Sequence, residues 1–332
     1  MTAEKLIFWL GELGKEHANL VGKKCANLGE LIKAGFQVPL GFALSLEAYE
    51  EFLTTTSTID EIRQYFATFS ADPSNPKDMP KYTEASKTAR SIMESKAMPK
   101  NMEDSVARYY DELCRKTGIK DVAVAVRSAG PVSHPGQYET YLNIAGIFNV
   151  RDNIVKVWSS TFNTRSLVAR ARKGLPLEHD PIGVAVLQMI RAKAAGIMFT
   201  AEPTTADSSR LVIEGTWGLG ESVVSGAVIP DCWVVNKAML EIVERRVSPE
   251  PAEHNLHLEA AKALSSDIIH DRQEGCLSDE EVIELTKRGK SIEQYFGSPQ
   301  DVEWALASDL PGDSIVILQT RPEHFTVSFA GF

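Results

Sequence analysis

The sequence is sparing with cysteine. Its 332 residues hold four, Cys25, Cys114, Cys232 and Cys276, far apart and never in C-x-x-C spacing. That excludes a disulfide-stapled scaffold and leaves no zinc or redox-dithiol pattern, so a reducing cytoplasm is the expected compartment. Positive charge is also short. Lys and Arg total 35 against 45 Asp and Glu, a formal charge of −10. A field of that sign repels polyanions, so no nucleic-acid partner is expected, although a local basic pocket for a nucleotide stays open. No apolar run approaches the ~20 residues of a membrane span. The short run Leu6 to Leu10 lies among Glu4, Lys5 and Glu12, too brief and too acidic for a signal peptide. No membrane partner is expected either. The phosphate loop G-x-x-x-x-G-K-[ST] and the G-x-S-x-G elbow are both missing, which removes P-loop and serine-hydrolase readings. Repeats and low-complexity tracts are absent too.

What is present is an ordinary globular composition, 43% apolar and 24% charged. The length allows two domains or one large domain with two lobes. The first third reads as helices. Cys25, Leu28, Leu31 and Ile32 share one face of a helix over 24–34 that Gly35 stops. Phe36 to Leu44 is extended. Ser45 caps a helix to about Leu53, and Thr58-x-x-Glu61 is a capping box for the next. Ser70 to Pro80 is a loop. Helices follow at 83–97 and 100–116, the second burying Met102, Val106, Tyr109 and Leu113. From Val122 the texture changes to mixed strands and helices. Strands are expected at 122–126, 141–144, 184–190, 196–200, 210–214, 231–236 and 240–247. One helix is expected over 152–172, and another runs from the box Ser278-x-x-Glu281 to Phe296. The last strands are Val302 to Ala307 and Ser314 to Thr320. Helices first and strands later give an α+β class.

Several constellations could carry chemistry. In the final hairpin, alternation sets Glu303 apart from Val302 and Trp304, and groups Ile317, Gln319 and Arg321 on one face. Glu303 and Gln319 offer the oxygen ligands that Mg²⁺ prefers, and Arg321 offers a fork for phosphate oxygens. A solvated sheet face with a surface ion pair is the alternative. Gly22-Lys23-Lys24 before the first helix suits phosphate at a positive helix end, or is a solvated loop. Arg127 opens a Gly/Pro/Ser segment, Ser128 to Gly136, whose backbone N–H groups could cradle phosphate or simply turn. Trp217-Gly-Leu-Gly-Glu221 is a second such turn. Gln188, in a buried strand, needs either a backbone partner or an adenine edge. His254-x-x-His257 and His134 carry little metal or phosphocarrier signal.

Taken together, seven segments resemble the nucleotide-binding domain shared by phosphoenolpyruvate synthase, pyruvate phosphate dikinase, rifampicin phosphotransferase and phenylphosphate synthase. They are Val21-Gly-Lys-Lys-Cys-Ala-Asn-Leu-Gly-Glu30, Val124-Ala-Val-Arg-Ser128, Gly136-Gln-Tyr-Glu-Thr-Tyr-Leu-Asn143, Gly196-Ile-Met-Phe-Thr200, Trp217-Gly-Leu-Gly-Glu221, Pro299-Gln-Asp-Val-Glu-Trp-Ala305 and Ile317-Leu-Gln-Thr-Arg-Pro322. The resemblance implies an ATP-grasp fold with ATP between two lobes, 1–190 and 191–332, the second holding the Mg/ATP strands 301–321. It implies Lys24 and Arg127 on the phosphates, Gly136 and Thr140 in the closing loop, and Gln188 at the adenine. Glu303 and Gln319 become Mg²⁺ ligands, with Arg321 beside them.

The sequence departs from the family in places. Lys23 stands where a glycine is usual, and the loop after Arg127 is short, as in pyruvate phosphate dikinase. No carrier-histidine motif is found. The expectation is therefore an ATP-binding subunit that hands the β-phosphoryl group to a histidine on a separate carrier or acceptor-binding subunit. The resemblance implies an acceptor such as phenol or a related compound, as in phenylphosphate synthase, with release of AMP and phosphate. Alternatives are a phosphoenolpyruvate synthase domain acting on pyruvate and a non-catalytic ATP sensor. The apolar tail Phe325 to Phe332 is expected to dock on a partner.

Overall fold

The computed structural model describes residues 5–131, 137–220, 223, 226, 228–248, 275–308 and 314–323. The segments around His134, Gly136, Glu221, His254 and His257, and the tail from 324, lie outside them. The chain divides into two units, 1–33 with 40–189, and 34–39 with 190–332. The α+β class read from the sequence is the class observed.

Among the described residues the first unit has five strands: β1 (Ile7–Trp9), β2 (Gly41–Leu44), β3 (Val124–Ala129), β4 (Thr140–Ile144) and β5 (Gly183–Gln188). They pair antiparallel in the order β1-β2-β5-β3-β4. Its helices are α1 (Ala18–Val21), α2 (Lys23–Lys33), α3 (Leu46–Thr55), α4 (Thr58–Phe66), α5 (Met79–Glu94), α6 (Lys100–Thr117), α7 (Ile147–Ser159) and α8 (Thr164–Arg172). Val124, Val126, Val184 and Val186 bury one sheet face in a core shared with Phe52, Tyr82, Val106 and Trp158. Ser45 caps α3 as expected, its oxygen accepting from Ala48 N at 3.2 Å. Such a cap is worth about 1 kcal/mol.

Four local expectations are corrected. The helix expected over 152–172 is two, α7 and α8, parted by a 3-10 turn over Ser160–Phe162. Asn163 causes the break: its Oδ1 accepts from Ser166 N at 2.8 Å and caps α8, so its backbone stays extended. Thr58 is not a cap but the buried first residue of α4, joined to Thr56 through their hydroxyls at 2.6 Å. Helix α5 starts at Met79, earlier than its hydrophobic period suggests, because Pro80 fits the first turn. On α6, Tyr110 is the buried aromatic, while the partly buried Tyr109 donates its hydroxyl to Ile7 O at 2.7 Å.

Among the described residues the second unit has six antiparallel strands in the order β11-β10-β6-β7-β8-β9. They are β6 (Ala192–Phe199), β7 (Arg210–Trp217), β8 (Asp231–Asn236), β9 (Glu241–Arg246), β10 (Gln300–Ala307) and β11 (Ile315–Pro322). Helix α9 (Asp279–Phe296) opens on the expected capping box: Ser278 Oγ accepts from Glu281 N, and Glu281 Oε2 accepts from Ser278 N at 2.7 Å. Gly289 lets α9 lie close on the sheet, since a Cβ there would stand 2.7 Å from Met198 Sδ. Met198, Ile213, Trp233 and Trp304 are fully buried on that face. Every other residue of each strand therefore points to the opposite face.

Candidate functional site

The opposite face is where the hairpin residues gather. Strands β10 and β11 pair with Glu303 directly across from Gln319, and Asp301 across from Arg321. The neighbouring pair is Trp304 with Ile317, so Leu318 is an extra residue, a β-bulge. Its effect is to re-aim side chains. Strict alternation would set Ile317 beside Gln319. Instead Ile317 turns to the Trp304 side, buried, while Gln319 and Arg321 stay with Glu303. The sequence grouping of Ile317, Gln319 and Arg321 is thus corrected to Asp301, Glu303, Gln319 and Arg321.

The donor set fits a hard cation. Gln319 Oε1 is buried and accepts no hydrogen bond. Leaving an acceptor so costs about 1–3 kcal/mol, which a metal or donor would recover. Beside it, the Glu303 carboxylate supplies a second oxygen. Among the described residues no group of three His, Cys, Asp or Glu forms a metal cage. Mg²⁺ needs none, since it keeps waters and phosphate oxygens and takes one or two protein ligands.

Asp301 was missed by the sequence reading. It is 7% exposed, and Arg321 donates to its Oδ2 from Nε at 2.7 Å and from Nη2 at 2.5 Å. Burial pushes its carboxyl up and Glu303 adds to this, while Arg321 pulls it back. The pair fixes the guanidinium fork next to Glu303. The missed signal was plain alternation, since Asp301 lies two residues before Glu303 on one strand.

In the first unit, the start of α2 docks on the end of β3. Gly22 has φ +83°, and a Cβ there would lie 2.1 Å from Ala129 O. Lys23 N donates to Gly130 O at 3.0 Å. This contact brings Lys24 near Arg127, and both charges act on Cys25, whose thiol burial pushes up to about 12. Lys24 is half-buried where Lys23 is exposed. Arg127 lies directly across from Thr140 on β4 and from Ala185 on β5. Lys24, Arg127 and Thr140 therefore form one neighbourhood around a helix N-terminus. Gln188 stands apart: its register partner is Val124, which places it on the other sheet face at the end of β5. Its N–H donates to Leu40 O at 2.8 Å.

The chain after Gly136 is held by side chains. Gln137 O accepts from Asn163 Nδ2 at 2.5 Å, and Tyr138 donates to Asp180 Oδ2 at 2.8 Å. Arg90 forks onto Glu139 at 2.5 and 2.9 Å. Thr140 is thereby delivered from a fixed base.

Residues 18–329 match the pyruvate phosphate dikinase AMP/ATP-binding domain. The chain is also similar to proteins named as probable phosphoenolpyruvate synthases. That of Methanocaldococcus jannaschii is 36% identical over 325 residues, covering 96% of this chain and 26% of the relative. That of Staphylothermus marinus is 36% identical over 351 residues, covering 96% and 41%. The phosphoenolpyruvate synthase of Aeropyrum pernix is 34% identical over 350 residues, covering 96% and 42%. The chain thus spans less than half the length of these relatives. No helix among the described residues is long and apolar enough to cross a membrane. A match running over nearly all of the chain places it: the chain belongs to the pyruvate phosphate dikinase AMP/ATP-binding domain family.

Proposed function

We propose that this chain is the ATP-binding part of a phosphoenolpyruvate synthase-like dikinase. It holds Mg-ATP so that the β-phosphoryl group passes to a histidine on a carrier and from there to pyruvate, with release of AMP and phosphate. The observation that carries the reading is the Glu303–Gln319 pair with its buried, unpartnered amide oxygen. The relatives' name favours pyruvate over the phenol acceptor that the sequence reading put first.

Phosphoryl transfer asks the protein chiefly for positioning and charge neutralisation. Lys24 and Arg127 are the first unit's candidates for phosphate contact, and Arg321 is the second unit's. Asp301 orients Arg321. Bound Mg²⁺ supplies further neutralisation of the phosphate oxygens, with Glu303 and Gln319 Oε1 to hold it. No nucleophile is required of this chain, because the carrier imidazole serves.

The test is label transfer. The chain is incubated with β-labelled ATP, Mg²⁺ and the carrier-histidine portion of a phosphoenolpyruvate synthase, then with pyruvate or phenol. Label on the carrier, AMP release and label on pyruvate are expected, and Glu303→Ala abolishes all three. Normal carrier labelling by Glu303→Ala overturns the site. ATP binding without AMP release would instead identify a nucleotide sensor.

A further inference from the structure

One carboxylate on the Glu303 face of the second sheet has no part in the site as described. The ladder registers line up Gln319, Glu303, Ile197, Glu214 and Cys232 in a single row across five strands. Residues directly opposite in antiparallel strands share a face. Glu214 thus stands on the Glu303 side, two strands away, about 10 Å along the sheet at the usual strand spacing.

Glu214 is half-buried and makes no hydrogen bond or ion pair among the described residues. Burial pushes its carboxyl up, and the Arg246 charge only partly offsets this. Arg246 is engaged elsewhere: its Nε pairs with Glu244 at 3.0 Å and its Nη2 donates to Cys232 Sγ at 3.5 Å. A carboxylate out of water and without donors is costly, unless a ligand brings the donors. The floor between the two carboxylates is apolar. Ile197 lies between them in the row, and Phe199 packs with Val212 on the same face.

We propose that Glu214 accepts hydrogen bonds from the ribose hydroxyls of the nucleotide. This rests on the reading of Glu303 and Gln319 as the ligands at its phosphate end. A vicinal diol offers two O–H donors to the two carboxylate oxygens, matching what Glu214 lacks. A second metal is less suited, since Ile197, Val212 and Cys232 around it supply no side-chain oxygen and Thr216, two residues along β7, adds only a neutral hydroxyl. The separation along the row suits one molecule with phosphate at one end and sugar at the other. Ile197 and Phe199 then pack under the sugar.

The experiment is calorimetric titration of the full chain with Mg-ATP and with Mg-2′,3′-dideoxy-ATP. Wild type should bind ATP on the order of ten- to a hundred-fold more tightly, the range for hydrogen bonds to a charged group. Glu214→Gln should lose that discrimination, binding ATP more weakly while its affinity for the dideoxy analogue stays unchanged. Glu214→Asp, which keeps the charge but withdraws it by one methylene, should fall between. Equal affinity of wild type for the two nucleotides overturns the ribose assignment and leaves the phosphate site standing. Discrimination preserved in Glu214→Gln overturns it as well. Failure of wild type to bind either nucleotide overturns both this and the reading beneath it. The wild-type comparison stands by itself if a variant does not fold.

Discussion

Replacing Gln319 by methionine should move stability and ligand binding in opposite directions. The amide oxygen is buried without a partner, a burden of about 1–3 kcal/mol on the ligand-free protein. Methionine is unbranched, close in length and apolar, so it fills the same space without that burden. Gln319→Met should therefore leave the ligand-free protein as stable as wild type or more stable, by about 1 kcal/mol. That corresponds to a rise of about 2–4 °C in the unfolding transition for a region of this size. The ligand response should fall. At a hundred times its dissociation constant, Mg-ATP stabilises the wild-type fold by about 2.7 kcal/mol. The variant has lost one of two protein ligands to the metal and should show little of this at the same concentration. Differential scanning fluorimetry with and without Mg-ATP reads both effects on one sample. An ordinary packing role predicts the reverse pattern. Destabilisation of the free protein by more than about 1 kcal/mol, or an undiminished Mg-ATP shift, would refute the metal assignment.

Two further outcomes follow from the geometry. Gly22→Ala forces a side chain into a left-handed backbone and against Ala129 O, so it should cost about 2–3 kcal/mol and weaken Mg-ATP binding by displacing Lys24. Gly35→Ala, also at positive φ but in open space, should cost only about 1 kcal/mol and leave binding unchanged, and urea titration of both separates strain from collision. The Glu323 carboxyl is pushed up to about 7, chiefly by burial and then by the Asp301 and Glu293 charges, against the Ala201 N–H and Lys237. The folded state then holds a proton that the unfolded chain releases near the ordinary carboxyl range. Stability accordingly drops as pH climbs through that window to about 7, and stays lower above it. Glu323→Gln should raise the urea midpoint more at pH 8 than at pH 5, and equal effects at both would contradict the assignment.

How far the sequence reached depends on the range of the interaction concerned. The Glu303–Gln319 pairing was legible because a short connection forces neighbouring antiparallel strands. Ser45 and Ser278 were legible because caps act within one turn. The bulge at Leu318 was not, since nothing in Ile-Val-Ile-Leu-Gln marks the residue that lacks an opposite number. Asn163 carried a readable cap signal that the apolar period through Val157 and Leu167 concealed. Asp301 was within reach of alternation and was overlooked. Glu214 was out of reach, because its place in the same row as Glu303 follows from two strand pairings, one of them between segments distant in the chain.

The strip 34–39 groups with the second unit although both its flanks belong to the first, and Gln37 O accepts from Ile317 N at 2.8 Å on the outer strand β11. The polypeptide therefore visits the second sheet early, returns, and only later supplies the rest of it. A single cut near residue 190 would strip the bulged strand of this border and expose a raw edge. A clean exchange of the second unit therefore needs junctions on both sides of 34–39 as well as one near 190.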